Sequence, residues 1–222
     1  MGMGARLRAV HVSRRARGIV FALLGSSVLS LALLALRMLA RDNATYGFLA
    51  WNLFLAWIPL LLAAAVVTAW RWGLRISVVP LLALWLLFFP NAPYVITDFV
   101  HLRDIGGMPR WFDVLLIGSF AATSLALGFV SLHLVQNLIR ATLGVAWSWV
   151  AALTVIALSG VGIYLGRVEQ LNSWDVLDPT RLRAALHAAA EQDHRVLLTV
   201  FLTCVLAAAY VVGQQFAARR AR

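Results

Sequence analysis

The chain has 222 residues, 62% of them hydrophobic and 13% charged, with a mean hydropathy of +0.85. Soluble domains sit nearer half apolar and a quarter charged, so an ordinary water-soluble globule is excluded. The net charge of +10 comes from nineteen arginines, with no lysine, set against nine acids; most of the arginines flank apolar stretches and read as topology signals and contacts to anionic lipid headgroups, not as a nucleic-acid surface.

A helix needs about 20 apolar residues to cross the hydrocarbon core of a bilayer. Six stretches qualify: 19–39, 46–70, 76–97, 112–137, 145–166 and 196–212. The predicted fold is all-α, a polytopic six-transmembrane-helix bundle over 19–212, with basic tails at 1–18 and 213–222. The longest loop, 167–195, is too short to form a soluble domain of its own. The first stretch follows a basic leader, but its length and the trailing Arg37 and Arg41 mark an anchor more than a cleaved signal.

Pro59 and Pro80 should kink the second and third spans. At the outer end of the third, Phe88-Phe89-Pro90-Asn91-Ala92-Pro93-Tyr94 predicts a break or re-entrant turn, with Phe89 and Ala92 pushed away from helical dihedrals. Small residues recur every fourth position at Gly118, Ala122 and Ala126, at Ser124 and Gly128, and at Gly162 and Gly166. They predict packing seams within the bundle, with a dimer interface as the alternative; the oligomeric state stays open. In the fifth loop Asp178 suits an N-cap and Pro179 the first helical position, and Leu182, Ala185, Leu186 and Ala189 share a face. This predicts a short amphipathic helix at the interface, either running on into the last span or giving way to a new helix at Asp193. Cys204 is the only cysteine, which excludes an intramolecular disulfide.

Orientation follows the arginines. Arg6, Arg8, Arg14, Arg15, Arg17, Arg71, Arg75, Arg140, Arg219, Arg220 and Arg222 fall on one side, outnumbering those on the other. Both termini are therefore expected in the cytoplasm, in the cell membrane. All nine acids, in the first, third and fifth loops, then face outward.

Polar residues from separate segments meet at that outer level. Asn52 lies about 9 Å inside the second span at 1.5 Å per residue, and Asn91, Asp98, His101, Asp113, Arg167, Asn172, Trp174 and Asp175 lie near the outer ends of the others or just beyond. Buried polar groups in membrane proteins face the bundle interior or a water-filled cavity, so these nine residues define a predicted outward-facing ligand-binding pocket; the alternative is a solvated rim. Asn91, Asp98, Arg167 and Asp175 are expected to cluster. Asp98, His101, Asp113 and Asp175 form a weak metal-ligand set without any HExxH or Cys-rich spacing, and an ion pair or helix cap is the stronger reading. Arg167 suits a phosphate or carboxylate, or an ion pair with Asp98, Asp113 or Asp175. His133, Gln136 and Asn137, beside Arg140, read as meeting cytoplasmic headgroups. No G-x-S-x-G elbow is present, and neither a cofactor nor a catalytic residue is indicated.

The string Phe88 to Asp98 with His101-Leu102, the segment Trp51-Asn52-Leu53-Phe54-Leu55-Ala56-Trp57-Ile58-Pro59, and Gly166-Arg167 followed by Asn172-Ser173-Trp174-Asp175 together carry a resemblance. Over roughly 46–178 the chain resembles the bacterial integral membrane family catalogued as domain of unknown function 1361. The resemblance implies a multi-span membrane protein and brings no activity. Val168-Glu169-Gln170-Leu171 departs from the more basic, aromatic linker of that family.

Three function classes fit. One binds or modifies a lipid, lipid-linked or phosphorylated ligand at the outer leaflet; the second is a transporter or channel component; the third is a structural or assembly protein. No span carries an ionisable residue near its centre and the two halves show no inverted repeat, which weighs against an ion-coupled carrier.

Overall fold

The computed structural model describes residues 3–40, 45–102, 109–167, 170–171, 175, 178–190 and 193–219. Among them the chain is helical throughout: α1 Met3–Leu39, α2 Phe48–Arg71, α3 Arg75–Phe88, α4 Asn91–Tyr94, a 3-10 segment Val95–His101, α5 Arg110–Leu143, α6 Val145–Arg167, α7 Pro179–Ala190 and α8 Asp193–Arg219. Six segments are long and apolar enough to cross a membrane: Ala16–Leu39, Phe48–Arg71, Arg75–His101, Arg110–Leu143, Val145–Arg167 and Leu197–Ala217. Large apolar side chains such as Phe21, Val28, Ile76 and Phe201 stand exposed around the bundle, a surface that lipid tolerates and water does not.

Helix α5 is central. It packs on α1, α2, α4, the 3-10 segment and α6, while α3 packs on α2 and α8 on α6. One core joins Leu49 and Leu53 of α2 to Leu116, Ile117 and Phe120 of α5; a second gathers Trp85, Phe89, Leu132, Ile156 and Tyr210. Ser131 ties three helices together inside the bundle. Its hydroxyl accepts from the Trp85 indole at 2.6 Å and donates to the Pro59 carbonyl at 3.0 Å.

After Phe88 the chain does not follow the proline rule. Phe89 keeps helical dihedrals (φ −54, ψ −39), and the chain goes on through the four residues of α4 into the 3-10 segment. The reason lies in how the carbonyls are served. Pro93 has no N–H to offer the Phe89 carbonyl, so the Ala92 N–H takes it at 3.2 Å. The Phe88 carbonyl then receives the Asn91 side-chain amide at 2.8 Å.

Close packing around this segment needs glycine. A Cβ on Gly162 would come within 2.7 Å of Pro90, and one on Gly128 within 2.8 Å of Ala92. Gly166 faces the Tyr94 ring. The Gly162/Gly166 pair therefore forms a seam within the bundle, against the Pro90–Tyr94 stretch.

In the fifth loop, Asp178 caps α7. Its Oδ1 accepts the Thr180 and Arg181 N–H groups at 3.0 and 3.3 Å and the Thr180 hydroxyl at 2.5 Å. The side chains of Leu182, Ala185, Leu186 and Ala189, and the 191–192 junction between α7 and α8, lie outside the described residues.

Candidate functional site

The 3-10 segment sets up the site. In a 3-10 helix residues i and i+3 eclipse, so Asp98 and His101 stand one above the other. Arg167, the last residue of α6, reaches across to this edge. Its Nε donates to the Thr97 hydroxyl at 2.9 Å, its Nη1 to His101 Nε2 at 2.9 Å and its Nη2 to Asp98 Oδ1 at 2.6 Å. Because a guanidinium can only donate, His101 Nε2 acts as the acceptor and the ring proton belongs on Nδ1. The other Asp98 oxygen accepts from Asn52 Nδ2 of α2 at 2.7 Å. Asp98 is 1% exposed, and the Tyr94 ring lies 4.9 Å from the guanidinium carbon. A buried carboxylate is tolerable only when paired and hydrogen-bonded, and here both oxygens are engaged.

A second ion pair lies deeper in the same region. Arg37 of α1 grips Asp113 of α5 through Nε at 2.7 Å and Nη2 at 3.3 Å, with both residues 2% exposed. The Tyr46 hydroxyl sits 3.4 Å from Asp113 Oδ2 and 3.3 Å from the His101 carbonyl. Tyr46 thus links the two charged groups into one network that runs from Arg37 to Asn52.

Beside this network a cavity of about 680 Å3 opens between α3 and α6, with α2 as its back wall. Helix α3 packs chiefly on α2, whereas α6 packs on α5, α8 and α4, and the cavity lies between the two. Asn52, Asn91, Tyr94, Arg167 and Gln170 line one end, and Trp51 lies beside Asn52. Ala83, Leu86, Leu87, Leu158, Val161 and Leu165 line the rest, with Gly162.

Of the nine residues singled out from sequence, Asn52, Asp98, His101 and Arg167 meet in one bonded cluster, and Asn91 lines the adjoining cavity. Arg167 takes Asp98 as its ion-pair partner, and Asp113 is claimed by Arg37. Asp175 pairs with Arg181 at 3.3 Å, at the start of α7. Asn172 and Trp174 lie outside the described residues. Among the described residues no three His, Cys, Asp or Glu side chains are arranged to hold a metal ion, and Asp98 and Asp113 spend their oxygens on different arginines.

Two residues take partners that the sequence does not name. Arg37 flanks the first span, as expected of an anchor, and also pairs with Asp113, which opens the fourth span at a matching level. Gln136 was read as meeting cytoplasmic headgroups, yet it is 2% exposed and accepts the Tyr210 hydroxyl of α8 at 2.7 Å. Gln214 donates to that same hydroxyl at 2.9 Å, so the cluster is an α5–α8 clasp.

The fold and its apolar exterior define a multi-pass membrane protein, with six candidate membrane-spanning helices among the described residues. The chain belongs to the family described as "Protein of unknown function (DUF1361)", whose profile matches residues 51–209. No curated protein and no solved structure matches the chain.

Proposed function

We propose that this protein binds a lipid or lipid-linked ligand in the cavity between α3 and α6, with the polar headgroup against Asn52, Asn91 and Arg167. The carrying observation is the division of the lining into a polar end and an apolar remainder. From Arg167 to Leu158 is nine residues, roughly 13 Å of helix at 1.5 Å per residue. Half of a ~30 Å hydrocarbon core is about 15 Å, so the apolar wall matches one leaflet. The arginine distribution supports the outer leaflet, with both termini cytoplasmic. A volume of about 680 Å3 falls in the usual range for ligand sites, about 300–1,000 Å3.

Transport is the weaker reading. The polar lining is confined to one end of the cavity, and among the described residues the only charged side chain lining it is Arg167. A carrier for ions or protons places ionisable groups near the midplane.

Lipid retention tests the proposal. Wild type and Arg167→Lys are purified in mild detergent, matched for folding by circular dichroism, extracted and compared by mass spectrometry. Lysine keeps the charge but cannot bond Thr97, His101 and Asp98 together. Wild type should carry a defined lipid species that the variant largely loses; identical profiles contradict the proposal.

A further inference from the structure

We infer that the headgroup this cavity takes is uncharged and hydroxylated, of the glycosyl or glycerol kind, and that Gln170 reads it. The inference rests on the lipid-binding reading above and narrows its ligand.

Charge comes first. Arg167 is the only charged residue lining the cavity among the described residues, and its charge is already matched by Asp98 at 2.6 Å. Three of the five guanidinium N–H groups are spent on Thr97, His101 and Asp98. A phosphate entering here would find no uncompensated positive charge to offset its own desolvation.

The remaining polar chemistry suits hydroxyls. Asn52, Asn91 and Gln170 are carboxamides, each with donor and acceptor. A hydroxyl is likewise both donor and acceptor, whereas a phosphate oxygen only accepts. Asn52 gives one of its two amide hydrogens to Asp98, so one N–H and its carbonyl oxygen remain for a ligand. That pair matches a hydroxyl on both counts, whereas the carbonyl oxygen finds no hydrogen on an ionised phosphate. Trp51 and Tyr94 add aromatic surface at the same end, against which the C–H face of a sugar ring can pack.

Gln170 supplies an independent observation. Among the described residues it is the only non-glycine with positive φ, at +55°. That left-handed conformation is costly for a residue with a long side chain and comes easily to glycine or asparagine. Its exposed side chain bonds to no other described residue, yet it lines the cavity at the polar end. The next N–H, of Leu171, caps the Leu165 carbonyl at 3.1 Å, so the left-handed turn closes the end of α6 and leaves the Gln170 amide at the cavity mouth without a side-chain partner among the described residues.

The test titrates purified wild-type protein in detergent with monoglucosyl diacylglycerol and with phosphatidylglycerol of identical chains, read by native mass spectrometry. The variants are Gln170→Gly, Gln170→Asn and Val161→Trp, the last of which fills the apolar part of the cavity. Wild type should bind the glycolipid at least ~10-fold more tightly than phosphatidylglycerol. Gln170→Gly should melt higher than wild type while binding the glycolipid ~10-fold more weakly, because relief of strain and loss of the reading amide act in opposite directions. Gln170→Asn, which tolerates the same φ with a shorter amide, should shift both quantities the same way. Val161→Trp should abolish binding of both lipids. Equal or tighter binding of phosphatidylglycerol, or unchanged glycolipid affinity in both Gln170 variants, overturns this inference and leaves the cavity reading standing if Val161→Trp still blocks. Undiminished binding of both lipids to Val161→Trp overturns the cavity reading itself.

Discussion

Arg167 Nη2 lies 2.6 Å from Asp98 Oδ1 and joins the end of α6 to the 3-10 segment that follows α4. The two residues are 69 positions apart in sequence, and their pairing sets the polar end of the cavity. Breaking a buried pair by removing one charge leaves the other uncompensated, at a cost of about 3–5 kcal/mol. Asp98→Asn should therefore lower thermal stability in detergent by an amount near that range, discounted because the Arg167 side chain is 23% exposed. Adding Arg167→Gln to Asp98→Asn should recover part of the loss. A double variant less stable than the single one would show that the two residues do not act as a pair.

The Arg37–Asp113 pair makes a sharper version of the same prediction, since both partners are buried. Asp113→Asn alone should destabilise by about 3–5 kcal/mol. The combination Arg37→Met with Asp113→Leu should sit close to wild type, because apolar side chains of similar size commonly replace a buried pair at little cost. Unfolding in detergent, followed by intrinsic tryptophan fluorescence, measures both.

Glycine positions separate tight from loose packing. Gly162→Ala puts a methyl group 2.7 Å from Pro90 and should cost about 1–3 kcal/mol. Gly118→Ala places its methyl 3.7 Å from Phe99, an ordinary contact, and should stay within about 0.5 kcal/mol of wild type. Equal melting temperatures for the two variants would contradict the close approach of α6 to Pro90.

What the sequence makes legible is the need for a partner, more than the partner's identity. The six apolar stretches follow from composition and length alone. Asn52 and Asp98 could be placed at one level because a polar group in an apolar span must be satisfied there. Which acid Arg167 would take, out of Asp98, Asp113 and Asp175, depends on helix packing that no local pattern encodes. The same holds for Gln136, whose burial comes from α8, far along the chain. At Phe89 the proline rule was correct about the missing donors but blind to the Asn91 side chain that serves the Phe88 carbonyl.

The start of α7 should respond to acid. The Thr180 hydroxyl first, then the Thr180 and Arg181 N–H groups, hold the Asp178 carboxyl below the usual carboxylate range. A depressed folded pKa stabilises the cap fully above the unfolded value, and that contribution is lost as pH falls through the folded value. Hydrogen exchange over 179–190, corrected for its intrinsic pH dependence, should show protection lost at acid pH in wild type. Asp178→Ala should lack both the protection and its pH dependence; protection unchanged by pH in wild type would remove the cap from the account.

Photo-crosslinking from within the bilayer tests the proposed lipid chain between α3 and α6 most directly. A glycerolipid carrying a diazirine partway down one acyl chain is incorporated with the purified protein in nanodiscs, irradiated and mapped by peptide mass spectrometry. Labelling should concentrate on Leu158, Val161 and Leu165 of α6 and on Leu86 and Leu87 of α3, and Val161→Trp should remove it. Labelling spread evenly over lipid-facing positions such as Phe21 and Val28 of α1, and unchanged by Val161→Trp, would contradict it.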